Sequence, residues 1–407
     1  MNSNSRGTQT PPRPQARPGT ATRRPSAPAK AHPLASVSTG FWLTLAVTVV
    51  LLASMLVAMV IMLCIAEEPK TPTNPLDDES KQTTPVEETT KAPTPTKSSK
   101  TGISLPSATK AGTYVYDTST AADMSDYAKL DSQAAALIDL TNSKAVATKN
   151  GDVKIYPASM TKVMTVLLAC EKATDPTELL TVTEEMIEKY KTLDNPSTAH
   201  TWQAGYQVTV EDALYMAIYK SDTYACWLLA EHVAGSEDAF VQMMNQRAAE
   251  LGCTGTNFKN CTGLFETDHY TTCFDMAAIM AAAMNNAAAT KVLTAKDLYT
   301  ADIYVNGAKN SAVPMWSGWY TGRLEAYPYN GAAPKYVGNN KDIELIAGKT
   351  GYETIPTNCF VTAGRNDVTG TLFVCVQVGR ISADASSINS KASTDDTREI
   401  YQEYANY

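Results

Sequence analysis

Along the chain the apolar residues fall into three regimes. Phe41 to Ala66 is a run of 26 residues without a charge, closed by Glu67 and Glu68. On either side of that run, up to about residue 110, apolar residues are sparse and follow no period. From Ala111 onward they recur with two spacings. Short alternating or continuous runs at Ala134–Leu140, Ala145–Thr148, Glu344–Lys349, Asn358–Ala363 and Thr371–Val378 predict strands, the first two joined by the turn Thr141-Asn142-Ser143. Apolar residues three and four apart predict helices at Ser159–Lys172, Val210–Tyr219, Tyr224–Ala234, Ser236–Leu251 and Thr272–Asn285. A last helix is expected near Thr394–Tyr404, with Thr394 or Asp395 as its cap. Gly252–Asp268, rich in Gly, Thr and Asn, reads as a loop. Strands at both ends with helices between them predict an α/β (α+β) domain. Its antiparallel sheet would be built from both termini and flanked by helices, and the middle helices would form a second, all-helical lobe.

As a helix, residues 41–66 are about 39 Å long, enough to cross a bilayer with some tilt. A cleaved signal peptide is the alternative, and it fits poorly because the run is too long and 40 residues precede it. Arg6, Arg13, Arg17, Arg23, Arg24 and Lys30 precede the run, whereas acids follow it. The positive-inside rule then predicts the organisation. Residues 1–40 are a basic cytoplasmic tail and residues 41–66 a single membrane span. Residues 67–110 are an extracytoplasmic linker, and residues 111–407 a domain held outside the cell membrane. Fourteen of the 21 prolines lie in residues 1–110, so neither flank of the span is expected to pack a core. As a coil the 44-residue linker reaches roughly 40 Å.

Charge follows the same division: +6 for residues 1–40, −1 for 67–110 and −13 for 111–407. So acidic a domain is a poor match for nucleic-acid phosphates, and no Gly-rich phosphate loop is present. Of eight cysteines, Cys64 lies in the apolar run. Cys253 and Cys261 flank a short loop and can bridge in an oxidising compartment, whereas Cys170 and Cys226 sit in apolar helical patterns as buried thiols. With no C-x-x-C pair and only His32, His200, His232 and His269, a zinc site is not expected. Met276, Met280 and Met284 recur at helical spacing and read as core.

Three short motifs carry chemistry. In Pro157-Ala158-Ser159-Met160-Thr161-Lys162, Ser159 and Lys162 are three apart and share one helix face. A serine hydroxyl needs a base in contact and a stabilised oxyanion, and a desolvated Lys162 can be that base. The helix N-terminus adds N–H donors. Taken alone, this motif reads as a helix cap and a surface lysine. In Lys220-Ser221-Asp222-Thr223 a loop serine can present its hydroxyl to a cleft, or Ser221 or Asp222 can simply cap the next helix. In Gly348-Lys349-Thr350-Gly351, after a strand, Lys349 offers a cation, Thr350 a hydroxyl and Gly351 close backbone approach. Together they suit a carboxylate lying along a strand edge.

In this order the three motifs resemble the signature of penicillin-binding proteins and serine β-lactamases. Pro157–Glu171, Leu229–Gly235, Asn257–Leu264 and His269–Ala277 further resemble segments of the low-molecular-mass D-alanyl-D-alanine carboxypeptidases, over roughly residues 130–400. The resemblance implies a β-lactamase/transpeptidase-like fold and a membrane-anchored hydrolase needing no metal or organic cofactor. It would remove the terminal D-alanine of peptidoglycan stem peptides ending in D-Ala-D-Ala, and β-lactam antibiotics would acylate it. Carried onto this sequence, Ser159 is the nucleophile, Lys162 its base and Ser221 a proton carrier to the leaving amine. Lys349, Thr350 and Gly351 hold the terminal carboxylate, and the Ser159 N–H, with that of Glu353 or a neighbour, forms the oxyanion hole. His269 is expected to be a structural histidine holding the loop. Thr223 stands where the family usually has Asn, and a lost amide contact would weaken transition-state binding by roughly 1–3 kcal/mol. Many members carry a further β domain and a C-terminal anchor; here the chain ends soon after the last helix, and residues 41–66 take the anchor's part. Two alternatives keep the scaffold. One is a D,D-endopeptidase or β-lactamase-like hydrolase, although no Glu-x-x-x-Asn loop is recognisable. The other is a catalytically weak peptidoglycan-binding protein.

Overall fold

A computed structural model describes residues 112–320, 336–337, 342–353, 357–379 and 392–405. The basic tail, the apolar span and the linker expected within residues 1–110 lie outside the described residues. Among the described residues no helix is long and apolar enough to cross a membrane.

The strands are β1 (Ala122–Asp123), β2 (Ala134–Asp139), β3 (Lys144–Lys149), β4 (Leu179–Thr181), β5 (Tyr206–Thr209), β6 (Tyr299–Val305), β7 (Ala308–Met315), β8 (Tyr336–Val337), β9 (Ile343–Glu353), β10 (Thr357–Asn366) and β11 (Leu372–Val378). The helices are α1 (Lys162–Lys172), α2 (Glu184–Lys191), α3 (Val210–Tyr219), α4 (Thr223–Ala234), α5 (Glu237–Glu250), α6 (Cys273–Met284), α7 (Ala287–Thr294) and α8 (Ala392–Tyr404).

The main sheet has the order β1-β3-β2-β11-β10-β9-β8, so strands from both ends of the chain meet, as the hydrophobic pattern predicts. The pairing is antiparallel except for the short β1 beside β3. Both faces are covered, which is why β2 reads as a continuous apolar run. Ala134, Ala136 and Ile138 point into the larger core with α1, α3, α4 and α6, while Ala135 and Leu137 point into a smaller core with Phe360, Phe373, Ile400 and Tyr401 of α8.

The second lobe departs from the all-helical expectation. It holds an antiparallel four-stranded sheet, β4-β5-β6-β7, packed beside α3 and α4. Its strands escape a hydrophobicity pattern because they are short or half-solvated: β4 has three residues, and β7 carries Lys309, Asn310, Ser311 and Pro314. Helices α2 and α7 are also absent from the expectation; each has eight residues, too few for a clear period. The expected cap of the last helix is corrected as well, because α8 begins at Ala392 and so contains Thr394 and Asp395. Cys253 and Cys261 are not bridged: both are buried free thiols, Cys253 donating to the Asp275 carbonyl at 3.5 Å and Cys261 to the Glu237 carboxylate at 3.2 Å. Cys170 and Cys226 are buried thiols. Met276 and Met280 are fully buried in α6, with Met284 packed at the edge of the same core.

Candidate active site

The first motif is not the opening of a regular α-helix. Ala158–Thr161 form a tight 3₁₀ turn, and α1 starts at Lys162. Ala158 has φ +46°, a left-handed conformation that costs a residue with a Cβ of order 1–3 kcal/mol and persists only where the surroundings impose it. Those surroundings are the loop Gly252–Asp268. Gly263, at φ +82°, lies so close that any Cβ there would overlap the Ala158 carbonyl, so only glycine lets the loop close over the turn. Asn260 ties that loop segment together: its Oδ1 accepts from the Gly263 N–H at 2.7 Å, the Thr262 N–H at 3.2 Å and the Thr262 hydroxyl at 2.9 Å.

This packing sets the state of Lys162. Its Nζ donates to Ser159 Oγ at 3.1 Å and to the Thr262 carbonyl, and the residue is 2% exposed. Burial pushes the amine below its ordinary value, against the smaller pull of Cys226, Cys261, Asp222 and Glu353 around it. Burial thus disfavours the charged form of an amine in contact with a half-exposed serine hydroxyl, the arrangement that suits a base.

The second motif serves two purposes. Asp222 caps α4, accepting from the Ala225 N–H at 2.8 Å. Its other oxygen gathers the Ala199 N–H, the Thr198 hydroxyl and the Trp202 indole N–H, fixing the segment before β5. Ser221 sits at φ +57° just before this cap, which turns its hydroxyl out to meet Lys349 Nζ at 3.2 Å. Thr223 is 1% exposed at the start of α4, and its N–H donates to the Ser197 carbonyl at 2.9 Å.

The third motif lies inside a strand and not after one. Lys349, Thr350 and Gly351 are the seventh to ninth residues of β9, paired with Val361, Phe360 and Cys359 of β10. Strand β8 pairs only with Ile343 and Glu344, so among the described strands the rest of that edge of β9 is open. Gly351 abuts the turn that carries Ser159: a Cβ there would press on Cys359 Sγ, Ala158 Cβ and the Pro157 carbonyl. The three motifs therefore meet. Half-exposed hydroxyls of Ser159 and Ser221 meet two buried amines, Lys162 and Lys349, each 2% exposed, and Lys349 Nζ also donates to the Thr350 carbonyl at 2.7 Å. Tyr352 is exposed and Glu353 buried at the end of β9.

Sequence reasoning missed the Thr262 carbonyl, Asn260 and Gly263; only the likeness of Asn257–Leu264 to a known segment pointed there. His269 does hold the loop. It is 2% exposed; its Nδ1 accepts the Lys259 N–H at 3.3 Å, so Nε2–H donates to Thr161 Oγ1 at 2.9 Å. Burial above all, with a smaller push from the nearby Lys162, lowers its pKa to about 3, so it carries no charge near neutrality.

The sequence model of the D-alanyl-D-alanine carboxypeptidase family matches residues 118–322, half of the chain, including Ser159, Lys162 and Ser221. The chain belongs to that family. Lys349 lies beyond the matched segment, and its place beside Ser221 comes from the fold. D-alanyl-D-alanine carboxypeptidase DacF of Bacillus subtilis is 36% identical over 151 residues, 36% of this chain and 37% of that protein. DacC of Escherichia coli is 28% identical over 229 residues, 54% of this chain and 57% of that one. The chain thus spans between about a third and three fifths of the relatives it matches. The crystal structure of the Streptomyces K15 DD-transpeptidase has the same fold, with a TM-score of 0.55 at 21% identity over 68% of this chain and 98% of that one.

Proposed function

We propose that this family member is a serine-type D-Ala-D-Ala carboxypeptidase acting through an acyl-enzyme on Ser159. The observation that carries the reading is the buried Lys162 amine in contact with the half-exposed Ser159 hydroxyl. Neutral Lys162 takes the Ser159 proton as Oγ adds to the carbonyl carbon of the penultimate D-alanine. The oxyanion is met by backbone N–H groups, that of Ser159 and one near Tyr352 or Glu353 on the open edge of β9. The substrate lies along this edge as an added strand, its terminal carboxylate against Lys349 and Thr350. As the C–N bond breaks, the proton passes through Ser221 to the leaving D-alanine amine. Water then adds to the ester with Lys162 as base, and Ser159 regains its proton. A β-lactam enters the same first step and leaves a stable ester.

The natural substrate in this reading is a peptidoglycan stem peptide. Residues 41–66 are proposed to anchor the chain in the cell membrane with residues 1–40 in the cytoplasm, a reading supported by 26 uncharged residues and by the flanking charges. The test is D-alanine release by the full chain in detergent from a peptide ending in Lys-D-Ala-D-Ala. The parent is expected to release it and Ser159→Ala is not. A folded parent that releases none from this peptide, while Ser159 still takes up labelled penicillin, would move the reading to the endopeptidase. Rapid turnover of penicillin would move it to the β-lactamase. A parent showing neither release nor labelling would leave a binding protein, with Thr223 the first position to restore to Asn.

A further inference from the structure

The Thr262 carbonyl that receives Lys162 Nζ belongs to a loop, and the hydrogen bonds that hold this loop lead away from Ser159. Asn260 fixes the Thr262 and Gly263 N–H groups from within the loop. Cys261, the residue before Thr262, is fixed from outside it. Its carbonyl accepts from the Thr165 hydroxyl of α1 at 2.7 Å, and its N–H donates to Glu237 Oε1, at the start of α5, at 3.0 Å. The Cys261 thiol donates to the same oxygen at 3.2 Å. Glu237 Oε2 receives Lys189 Nζ of α2 at 2.6 Å, and that amine lies 4.7 Å over the Trp227 ring of α4. Cys261 and Thr165 are fully buried, whereas the Glu237 side chain is 15% exposed and that of Lys189 46%. One carboxylate therefore links a half-exposed lysine to a buried peptide group, one residue from the carbonyl that receives Lys162.

Two simpler roles account for part of this arrangement. A carboxylate in the first turn of α5 suits the helix dipole, but Asp238 stands in that turn too. A half-exposed ion pair with Lys189 adds little stability. Neither role needs Glu237 to turn inward and accept two donors from one loop residue. Resting on the acyl-enzyme reading, we infer that Glu237 is a positioning residue for acylation: through the Cys261 N–H it fixes the Thr262 carbonyl, and with it the orientation of the Lys162 amine toward Ser159. As the base in that reading, the amine has two N–H groups and one lone pair. The Thr262 carbonyl accepts one N–H, so the amine cannot turn freely and its lone pair faces Ser159 Oγ, 3.1 Å away. Loss of the Glu237 carboxylate leaves the buried Cys261 N–H without its acceptor, and the loop shifts to find another. The Thr262 carbonyl moves with it. The other titratable groups around Lys162 are Cys226 and Asp222 on the α4 side, Glu353 at the end of β9, and Cys261 and His269 in the loop.

The test follows the rate constant of labelled-penicillin uptake by Ser159 against pH, with the full chain in detergent and denaturant unfolding beside it. Glu237→Ala should lower that rate about 10–30-fold and still reach one label per chain. It should also move the acid limb of the pH–rate curve up by about one unit, because a loosened loop lets water reach the amine. Glu237→Gln removes the charge but keeps an oxygen for the Cys261 N–H; it should stay within about threefold of the parent, with the limb in place. Arg247→Leu removes the pair by which α5 also holds Glu171 of α1, at 3.0 Å, and should lower stability without moving the limb. Should Glu237→Ala not fold, Glu237→Asp, one methylene short of the Cys261 N–H, is read in its place, with a loss of about fivefold and the same upward shift. An Ala or Asp variant that is merely less stable, its rate and limb unchanged, would overturn the inference and leave the acyl-enzyme reading standing. So would a Gln variant as slow as the Ala one, since charge and not the N–H contact would then be at work, or an Arg247→Leu protein whose limb moves as far. A parent that takes up no label would remove the acyl-enzyme reading and the inference with it.

Discussion

Two buried polar networks lie on opposite faces of the main sheet. On the α1 face, hydrogen bonds join Lys162, Ser159, Thr262 and Asn260, and separately Thr161 and His269, around a turn with a residue at positive φ and a glycine that has no room for a Cβ. On the α8 face, Asp396 receives the Asp131 and Ser132 N–H groups and the Ser132 hydroxyl, which also lies 2.7 Å from Gln377 Oε1. The second network fastens the last helix to the chain before β2 and leaves no residue of α8 at positive φ. Both are buried, yet only the first holds a reactive group half-exposed. Burial of polar groups is therefore common to fastening and to chemistry, and what separates them here is enforced backbone strain beside an open strand edge.

The ionisable groups differ in the same way. His269 is held neutral by burial, its pKa pushed down to about 3. Asp396 is pushed up to about 6, chiefly by burial, against the donors that favour its charged form. The Ser132 hydroxyl has one proton and two acceptors, so a protonated Asp396 can donate to it and let it serve Gln377 alone.

Four substitutions would break or sharpen this contrast. The largest effect belongs to Lys162→Met, which should lower acylation of Ser159 by about 10²–10⁴-fold without unfolding the protein, read by the rate of labelled-penicillin uptake. Gly263→Ala follows: its Cβ meets backbone and not a yielding side chain, so about 3 kcal/mol of stability and most activity should be lost, read by denaturant unfolding beside D-alanine release. His269→Ala would leave the Lys259 N–H and the Thr161 hydroxyl without their partner at a cost of about 2 kcal/mol, and it should also flatten the acid response. That response has a definite sign. Between pH 6.5 and 3 the unfolded histidine binds a proton that the native one does not, so stability is full above 6.5 and falls as pH drops. Asp396 acts in the opposite sense: its contribution is full below the ordinary 3.8 and is lost as pH rises through about 6. Asp396→Asn therefore gives the smallest effect. It removes that partial offset, so the fall from pH 6 to 4 should steepen by about 1–2 kcal/mol in a melting series against pH. A flatter fall in that variant would mean that Asp396 is charged throughout.

Much of this was readable in the residues. That Ser159 would meet Lys162 was legible from their spacing, and that Lys349 would lie beside Ser221 only from the order of the three motifs. The main sheet was legible because β2 and β11 bury both faces and so carry dense apolar runs. The strain at Ala158 was not, since an alanine gives no sign of a left-handed φ when the cause is a glycine 105 positions away. Thr262 was hidden for a related reason: it serves Lys162 through its carbonyl, which every residue has. The sheet β4–β7 was hidden because half-solvated strands such as β7 look like loop.

The order of strands in the main sheet also bears on how the molecule is made. β11 lies between β2 and β10, so the edge of β2 has no partner until the last strands of the chain are synthesised. The contacts that complete the site span 100 residues for Lys162 with Thr262 and 128 for Lys349 with Ser221. Such long closures form late in folding. The Ser159 turn emerges well before β9, so a half-made chain presents Ser159 and Lys162 without Lys349 beside Ser221, and a sticky sheet edge in need of protection.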